Sequence, residues 1–245
     1  MSEPHPALSA SPAYMLTTCW SVVLEAGRQG PEGGAALDQL CRRYWPAVFG
    51  FFVRSGLDRA DAEDETQEFF ATLLRREGLA GVAPEKGRFR SFLLTCLKNH
   101  MATALRRGTR QKRGGGSPVV TLDAGLADRI ASGAEASEAP EAAYDRHWAE
   151  SVIQHTSLRL EAEYKAAGRG ARFAALREFL MWDGGELSGR ELAEHLGESE
   201  TAVRSAIFRL RRRFGLLLRE EVAGTLGPGE DVDEEVRYMA RILSE

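Results

Sequence analysis

Two stretches hold the side chains best suited to chemistry. "DAEDETQEFF", residues 61–70, places five carboxylates ahead of a pair of phenylalanines. "KGRFRSFLLTCLKNHMATALRRGTRQKR", residues 86–113, has nine lysines and arginines and no acid. On a helix, Asp61, Glu65 and Glu68 share one stripe, and Asp64 and Glu68 a neighbouring one. Clustered carboxylates can bind Mg²⁺ or share a proton, but no histidine motif, second acidic motif or phosphate loop accompanies these. Acids also gather at helix N-termini, where the macrodipole favours negative charge. The basic run suits a phosphate backbone. For residues 106–113 the competing reading is a solvated helix end.

A third stretch, "LSGRELAEHLGESETAVRSAIFRLRRRF", residues 187–214, has the spacing of two helices joined by a tight turn. Ser188 caps the first helix, Gly197 supplies the turn and Ser199 caps the second. Leu192, Ala193, Leu196, Val203 and Ile207 fall where the helices pack together. This is a helix-turn-helix pattern. On its second helix Glu200, Thr201, Arg204 and Ser205 are placed to reach base edges, and Arg209, Arg211, Arg212 and Arg213 to reach phosphates.

The elements around these stretches are helical almost throughout. Leu37, Leu40, Cys41, Tyr44, Val48, Phe51 and Phe52 form one apolar stripe on a helix over 36–53. A helix over 58–76 starts at an N-cap Asp58, and others follow over 89–107, 141–166 and 171–182. Only "SPVVTLDA", from 117, alternates like a strand. The fold class is all-α, with two small helical domains joined by a flexible linker. The boundaries are a disordered leader over 1–14, a first domain over 15–112, a linker over 113–140, a second domain over 141–224, and a tail over 225–245 with a short helix bearing Val236, Met239 and Ile242 on one side. A flexible linker of this length spans roughly 30 Å.

The 245 residues carry a net charge of −4, with 43% hydrophobic and 28% charged residues. That balance fits a soluble globular protein, and its average conceals alternating acidic and basic blocks. Cys19, Cys41 and Cys96 lie far apart in apolar runs without a CxxC pair, so buried reduced thiols in a cytosolic protein are expected. No run reaches the roughly 20 apolar residues of a membrane span, and the N-terminus lacks the pattern of a secretory signal.

Together the motifs resemble a bacterial sigma-70-type RNA polymerase sigma factor of the extracytoplasmic-function group. "LDRADAEDETQEFFATLL" is similar to region 2.2, "GRFRSFLLTCLKNHMATALRR" to regions 2.3 and 2.4, and the stretch from 187 to region 4.2. The resemblance implies a cytoplasmic transcription initiation factor, not an enzyme, with no cofactor and no metal. Its partners would be core RNA polymerase, through the β′ clamp helices and β flap, promoter DNA, and an anti-sigma factor or a kinase. Asp61, Asp64, Glu65, Gln67 and Glu68 would dock on the polymerase, with Phe69, Phe70 and Leu73 facing the core. Arg88, Phe89, Arg90, Phe92, Lys98, Asn99, Arg106 and Arg107 would serve the −10 element. Ser199, Glu200, Thr201, Arg204, Ser205, Arg209, Arg211 and Arg212 would serve the −35 element.

Several positions depart from the family's pattern. Glu65 stands where a leucine is usual, Thr103 where many relatives have Asp, and Ala206 where a basic contact is common. Phe208 and Leu210 make the second helix of the pair more apolar than usual. These departures keep open a regulator that acts without polymerase, or an interaction protein that has lost DNA reading. The acidic tail from Gly229 onward, folded over a basic face, is one candidate for a built-in brake.

Overall fold

A computed structural model of the protein describes residues 20–27, 31–75, 79, 82–108, 138–180 and 189–244. Among these residues every regular element is helical. The order is α1 (Trp20–Ala26), α2 (Pro31–Arg54), α3 (Arg59–Arg75), a 3-10 turn (Pro84–Lys86), α4 (Phe89–Gly108), α5 (Pro140–Ala166), α6 (Gly170–Leu176) with a 3-10 turn (Arg177–Phe179), α7 (Gly189–Leu196), α8 (Glu200–Ala223) and α9 (Val232–Ser244). The all-α class expected from the sequence is the class observed. The leader, Cys19, Ser188 and the strand-like "SPVVTLDA" lie outside the described residues, as does the linker up to residue 137.

Local chemistry sets the helix ends. The Asp58 carboxylate accepts from the Asp61 amide at 2.9 Å and caps α3. The Ser199 hydroxyl accepts from the Ala202 amide at 3.2 Å and caps α8. Gly197 ends α7 at φ +63°, a left-handed conformation that glycine adopts without a Cβ clash. Pro140 opens α5 at a position where no helical N–H is needed.

Two hydrophobic cores are built on these helices. The first gathers Tyr44, Val48, Phe49 and Phe52 of α2, Ala62, Phe69, Phe70 and Leu73 of α3, and Phe89, Leu93 and Leu97 of α4. Helices from later in the chain complete it, through Tyr144, Trp148 and Val152 of α5, Val222 of α8 and Met239 of α9. The second core holds Leu160 of α5, Phe173 and Leu176 of α6, Leu192 and Ala193 of α7, and Val203, Ala206, Leu210, Phe214 and Leu217 of α8. Burying each large side chain of this kind contributes about 1.5–3 kcal/mol.

Helix α5 serves both cores because of its periodicity. Tyr144, Trp148, Val152, Thr156 and Leu160 are all buried and recur every four residues. A row spaced by four drifts around a helix of 3.6 residues per turn, so the N-terminal half of α5 faces the first core and the C-terminal half the second. Ile153 and Leu218 pack against both. A buried ion pair adds a second tie, with Arg43 of α2 3.3 Å from Glu221 of α8. Arg159 of α5 reaches Glu220 at 2.6 Å and Glu221 at 3.4 Å.

Burial pushes the Cys41 thiol, with help from nearby Asp38, up to about 12, so it stays protonated and unreactive at neutral pH. Cys41 and Cys96 are both free thiols.

The tightest helix crossing lies where α2 meets α5. A Cβ at Gly50 would stand 2.2 Å from Cδ2 of the buried His147 ring. Gly34, also in α2, has no such neighbour within 4 Å. Gly50→Ala is therefore expected to destabilise the protein by about 1–3 kcal/mol through overpacking. Gly34→Ala should stabilise it by about 0.5–1 kcal/mol through helix propensity. Urea denaturation of the two variants checks the opposite signs.

Candidate polymerase and nucleic-acid interfaces

The acids of α3 divide by position. Asp61 and Asp64 are exposed, whereas Glu65, Gln67 and Glu68 are half-buried. Glu63 pairs with Arg59 at 3.0 Å, and Glu68 accepts from the Thr72 hydroxyl at 3.3 Å. Glu65, the residue least expected from the family's pattern, has a definite partner: its Oε2 lies 2.9 Å from Nε2 of His100 on α4. The His100 ring meets Phe52 and Phe69 edge-on, at 6.0 and 5.6 Å between centroids. Glu65 thus ties α3 to α4 over the aromatic core, where a leucine would give packing alone. Among the described residues, no group of three His, Cys, Asp or Glu side chains is arranged to hold a metal ion.

Gly87, at φ +104°, turns the chain from the 3-10 turn into α4. The candidates that follow have different fates. Phe89 is a core residue, edge-on to Trp20 at 5.9 Å and to Tyr44 at 5.4 Å. Arg90 is only 8% exposed. Its guanidinium lies between the rings of Trp148 and Tyr238, 4.8 and 4.7 Å from their centroids. Its Nε donates to Glu235 Oε1 at 2.8 Å and its Nη1 to Asp145 Oδ1 at 2.6 Å. The Tyr238 hydroxyl donates to the other oxygen of Asp145 at 2.6 Å. Burial opposes the charge on Arg90, but the bond to Glu235 and the field of Asp145 outweigh it and raise its pKa. In this conformation Phe89 and Arg90 are closed to a nucleic acid.

Arg88 sits at the edge of that cluster. Its Nε donates to Glu230 Oε1 at 2.8 Å, and its Nη1 is 2.6 Å from Glu235 Oε2, outside hydrogen-bond geometry. Ser91, Thr95, Lys98 and Asn99 form an exposed stripe on α4, and Phe92 is half-buried beside it. Lys98 reaches Glu141 of α5 at 2.8 Å. An open cavity of about 590 Å³ lies where this stripe meets the 3-10 turn, lined by Trp20, Lys86, Arg88, Ser91, Phe92 and Thr95. Sequence reasoning missed Trp20, Lys86, Ser91 and Thr95. Lys86 lay in the basic run, and Ser91 and Thr95 precede Lys98 at helical spacing, so only Trp20 left no local signal. Arg106 and Arg107 belong to α4, but their side chains lie outside the described residues. Thr103 is exposed and donates to the Asn99 carbonyl at 2.9 Å.

On α8, Ser199, Glu200, Thr201, Arg204, Ser205, Arg209, Arg211 and Arg212 are all exposed. Arg204 donates to Glu200 at 2.9 Å, a pair that solvent screens. Arg211 donates to the Phe179 carbonyl at 2.7 Å, tying α8 to the end of α6. Arg213 forks onto Glu163 of α5 through both oxygens, which holds that carboxyl below its usual range. Ala206, read from the sequence as a missing basic contact, is buried in the second core. A charged side chain there would be buried among the apolar residues of that core. Leu210 is likewise a core residue, while Phe208 is 66% exposed.

Residues 40–111, from within α2 to just past the end of α4, match the sigma-70 region 2 family. The chain therefore carries a region of the kind found in sigma-70-type sigma factors. The match covers the α3 acids and the whole α4 stripe. No curated protein and no solved structure matches the chain. No helix among the described residues is long and apolar enough to cross a membrane.

The Arg90 cluster yields a stability prediction. Arg90→Ala leaves Glu235 and Asp145 without the cation they share and should cost about 3–5 kcal/mol, as expected for breaking a buried pair on one side. Arg90→Lys keeps the charge but not the fork and should lose less. Urea denaturation followed by circular dichroism measures both.

Proposed function

We propose that the protein is a transcription initiation factor, a sigma factor of the extracytoplasmic-function type. In this reading it is not an enzyme and needs no cofactor. It binds core RNA polymerase in the cytoplasm and directs it to promoters by recognising −10 and −35 elements. The match of residues 40–111 to sigma-70 region 2 carries the reading. Two features support it. The α3 helix presents Asp61 and Asp64 to solvent, where they can steer and orient docking on basic clamp helices of the β′ subunit. The α4 stripe, with Lys86, Phe92 and the adjoining cavity, offers positive charge and an aromatic face to unstacked bases of a melted strand.

The α7–α8 pair acts in this reading as a helix-turn-helix. Gly197 and Ser199 shape the turn, and Thr201, Arg204 and Ser205 stand on the exposed N-terminal face of α8. Arg209 and Arg212, one and two turns further on, face solvent and suit phosphates. The second core holds α7 and α8 together independently of these contacts, so DNA-facing residues can change without loss of fold. The β flap of polymerase is the expected partner of this half, and an anti-sigma factor or a kinase is the class of regulator expected.

The deciding experiment is reconstitution. The protein should co-purify with core polymerase and give run-off transcripts only in its presence; no retention on immobilised core overturns the proposal. Asp61→Lys with Asp64→Lys should weaken core binding by about tenfold while leaving the protein folded, because both side chains are exposed. An unchanged affinity would assign these acids to helix capping alone. Arg204→Ala should alter preference among −35 sequences, whereas Arg212→Ala should weaken all of them about equally. A panel of promoter variants in a gel-shift assay separates the two.

A further inference from the structure

We infer that the loop before α9 is an internal competitor for the −10 strand, with Glu230 occupying the guanidinium of Arg88 in place of a DNA phosphate. This rests on the reading of α4 and its neighbouring turn as the −10 face, and it concerns how that face is regulated. Arg88 and Glu230 are each 25% exposed and both line the cavity beside Phe92. A guanidinium fork accepts a carboxylate or a phosphate in the same way, so the two anions exclude each other at Arg88.

The loop is built to hold Glu230 in place. A Cβ at Gly227 would stand 2.3 Å from the Pro84 carbonyl oxygen, so the chain seats directly on the 3-10 turn that leads to Arg88. The second oxygen of Glu230 accepts from the Gly227 amide at 2.6 Å, which fixes the carboxylate within its own loop. Behind it, α9 is anchored by Met239 in the core and by Glu235 and Tyr238 on Arg90. Of the neighbouring exposed acids, Asp233 is paired with Arg219 at 2.9 Å, whereas Asp231 caps the start of α9 by accepting from the Asp233 amide at 2.8 Å.

Arg88 and Arg90 thus have separate tasks. Arg90 is enclosed by two rings and two carboxylates and remains a fixed anchor for α9. Arg88 lies at the rim: its pair with Glu230 is one that solvent reaches and that can exchange, while its Nη1 stays 2.6 Å from the buried Glu235. Opening requires that Glu230 swing away while α9 and Glu235 stay docked, which frees the Nε edge of the guanidinium for a phosphate. The closed state lowers affinity for single strands that are not presented by polymerase.

The test uses the full chain and a fluorescein-labelled single-stranded DNA 12-mer of random sequence, with fluorescence anisotropy as the readout. Glu230→Gln keeps an oxygen for the Gly227 amide and removes the charge. It should bind the oligomer about fivefold tighter, with a log–log salt slope steeper by about 0.7, the value for one added phosphate contact on a single strand. Gly227→Ala, which pushes the loop off the turn without altering charge, should move affinity in the same direction. Adding Arg88→Ala to Glu230→Gln should abolish the gain, and Glu234→Gln, an equal charge change away from Arg88, should give none.

Unchanged binding by Glu230→Gln overturns the competitor, as does a gain that survives Arg88→Ala or appears equally with Glu234→Gln. Melting curves show that each variant is folded. Binding of the wild-type chain to core polymerase is scored separately: a competitor that fails with core binding intact leaves the sigma reading standing. Loss of core binding with the Arg88-dependent gain intact removes the sigma reading alone, and no DNA binding by any variant together with loss of core binding overturns both.

Discussion

The guanidinium of Arg90 sits where water barely reaches, and a charge in such a place must be matched by others or it destabilises the fold. The cluster is drawn from three places in the chain: α4 supplies Arg90, α5 supplies Asp145 and Trp148, and α9 supplies Glu235 and Tyr238. Tyr144 adds a hydrogen bond from its hydroxyl to the Arg90 carbonyl at 3.1 Å. One side chain therefore fixes the start of α4 against the first turns of α5 and against the last helix. Helix α9 has 13 residues, a length at which an isolated helix is marginal in water. It forms because Met239 is buried in the core and because Glu235 and Tyr238 close on Arg90. The position of the α4 stripe and of the cavity at its foot depends on the same cluster.

The second constraint is the sharing of long helices between cores. Helix α5 turns its four-residue row from the first core to the second, and α8 enters the first core only after leaving the second. The α7–α8 pair consequently presents its exposed N-terminal residues from a helix whose far end is held by Arg43, Arg159 and Val222. Rigidity of that far end orients the near end. The absence of a side chain at Gly50 lets the His147 ring of α5 pass against the backbone of α2.

Local features were legible in the sequence. The caps at Asp58 and Ser199, the turn at Gly197 and the packing positions Leu192, Ala193 and Val203 all follow from short-range chemistry, and the structure has them. So does the inward face of Phe69, Phe70 and Leu73. What spacing alone does not fix is the partner across a long separation. Glu65 reads as a surface acid until His100, on the next helix, is seen against it. Arg88 and Arg90 read as two equal members of a basic run, because nothing local tells one enclosed by carboxylates from one at the rim. Ala206 reads as a lost contact because the family's pattern has a basic residue there, and only the packing of α8 shows that this position turns inward.

The charge pattern also changes meaning once the long-range pairs are counted. At the corner where α4 begins, the guanidiniums of Arg88 and Arg90 face the carboxylates of Asp145, Glu230 and Glu235, which leaves one negative charge in excess. A basic stretch in sequence is thus not a basic surface at its first turn. The remaining described cations of this face are Lys86, at the foot of the cavity, and Lys98, two turns along and close to Glu141. A phosphate approaching this face meets a weak field that strengthens only if a carboxylate leaves Arg88. Electrostatic attraction to a polyanion grows with each phosphate neutralised. Removal of Glu230 from this corner therefore changes affinity through two effects at once, one edge of the Arg88 guanidinium opened and one repulsive charge withdrawn.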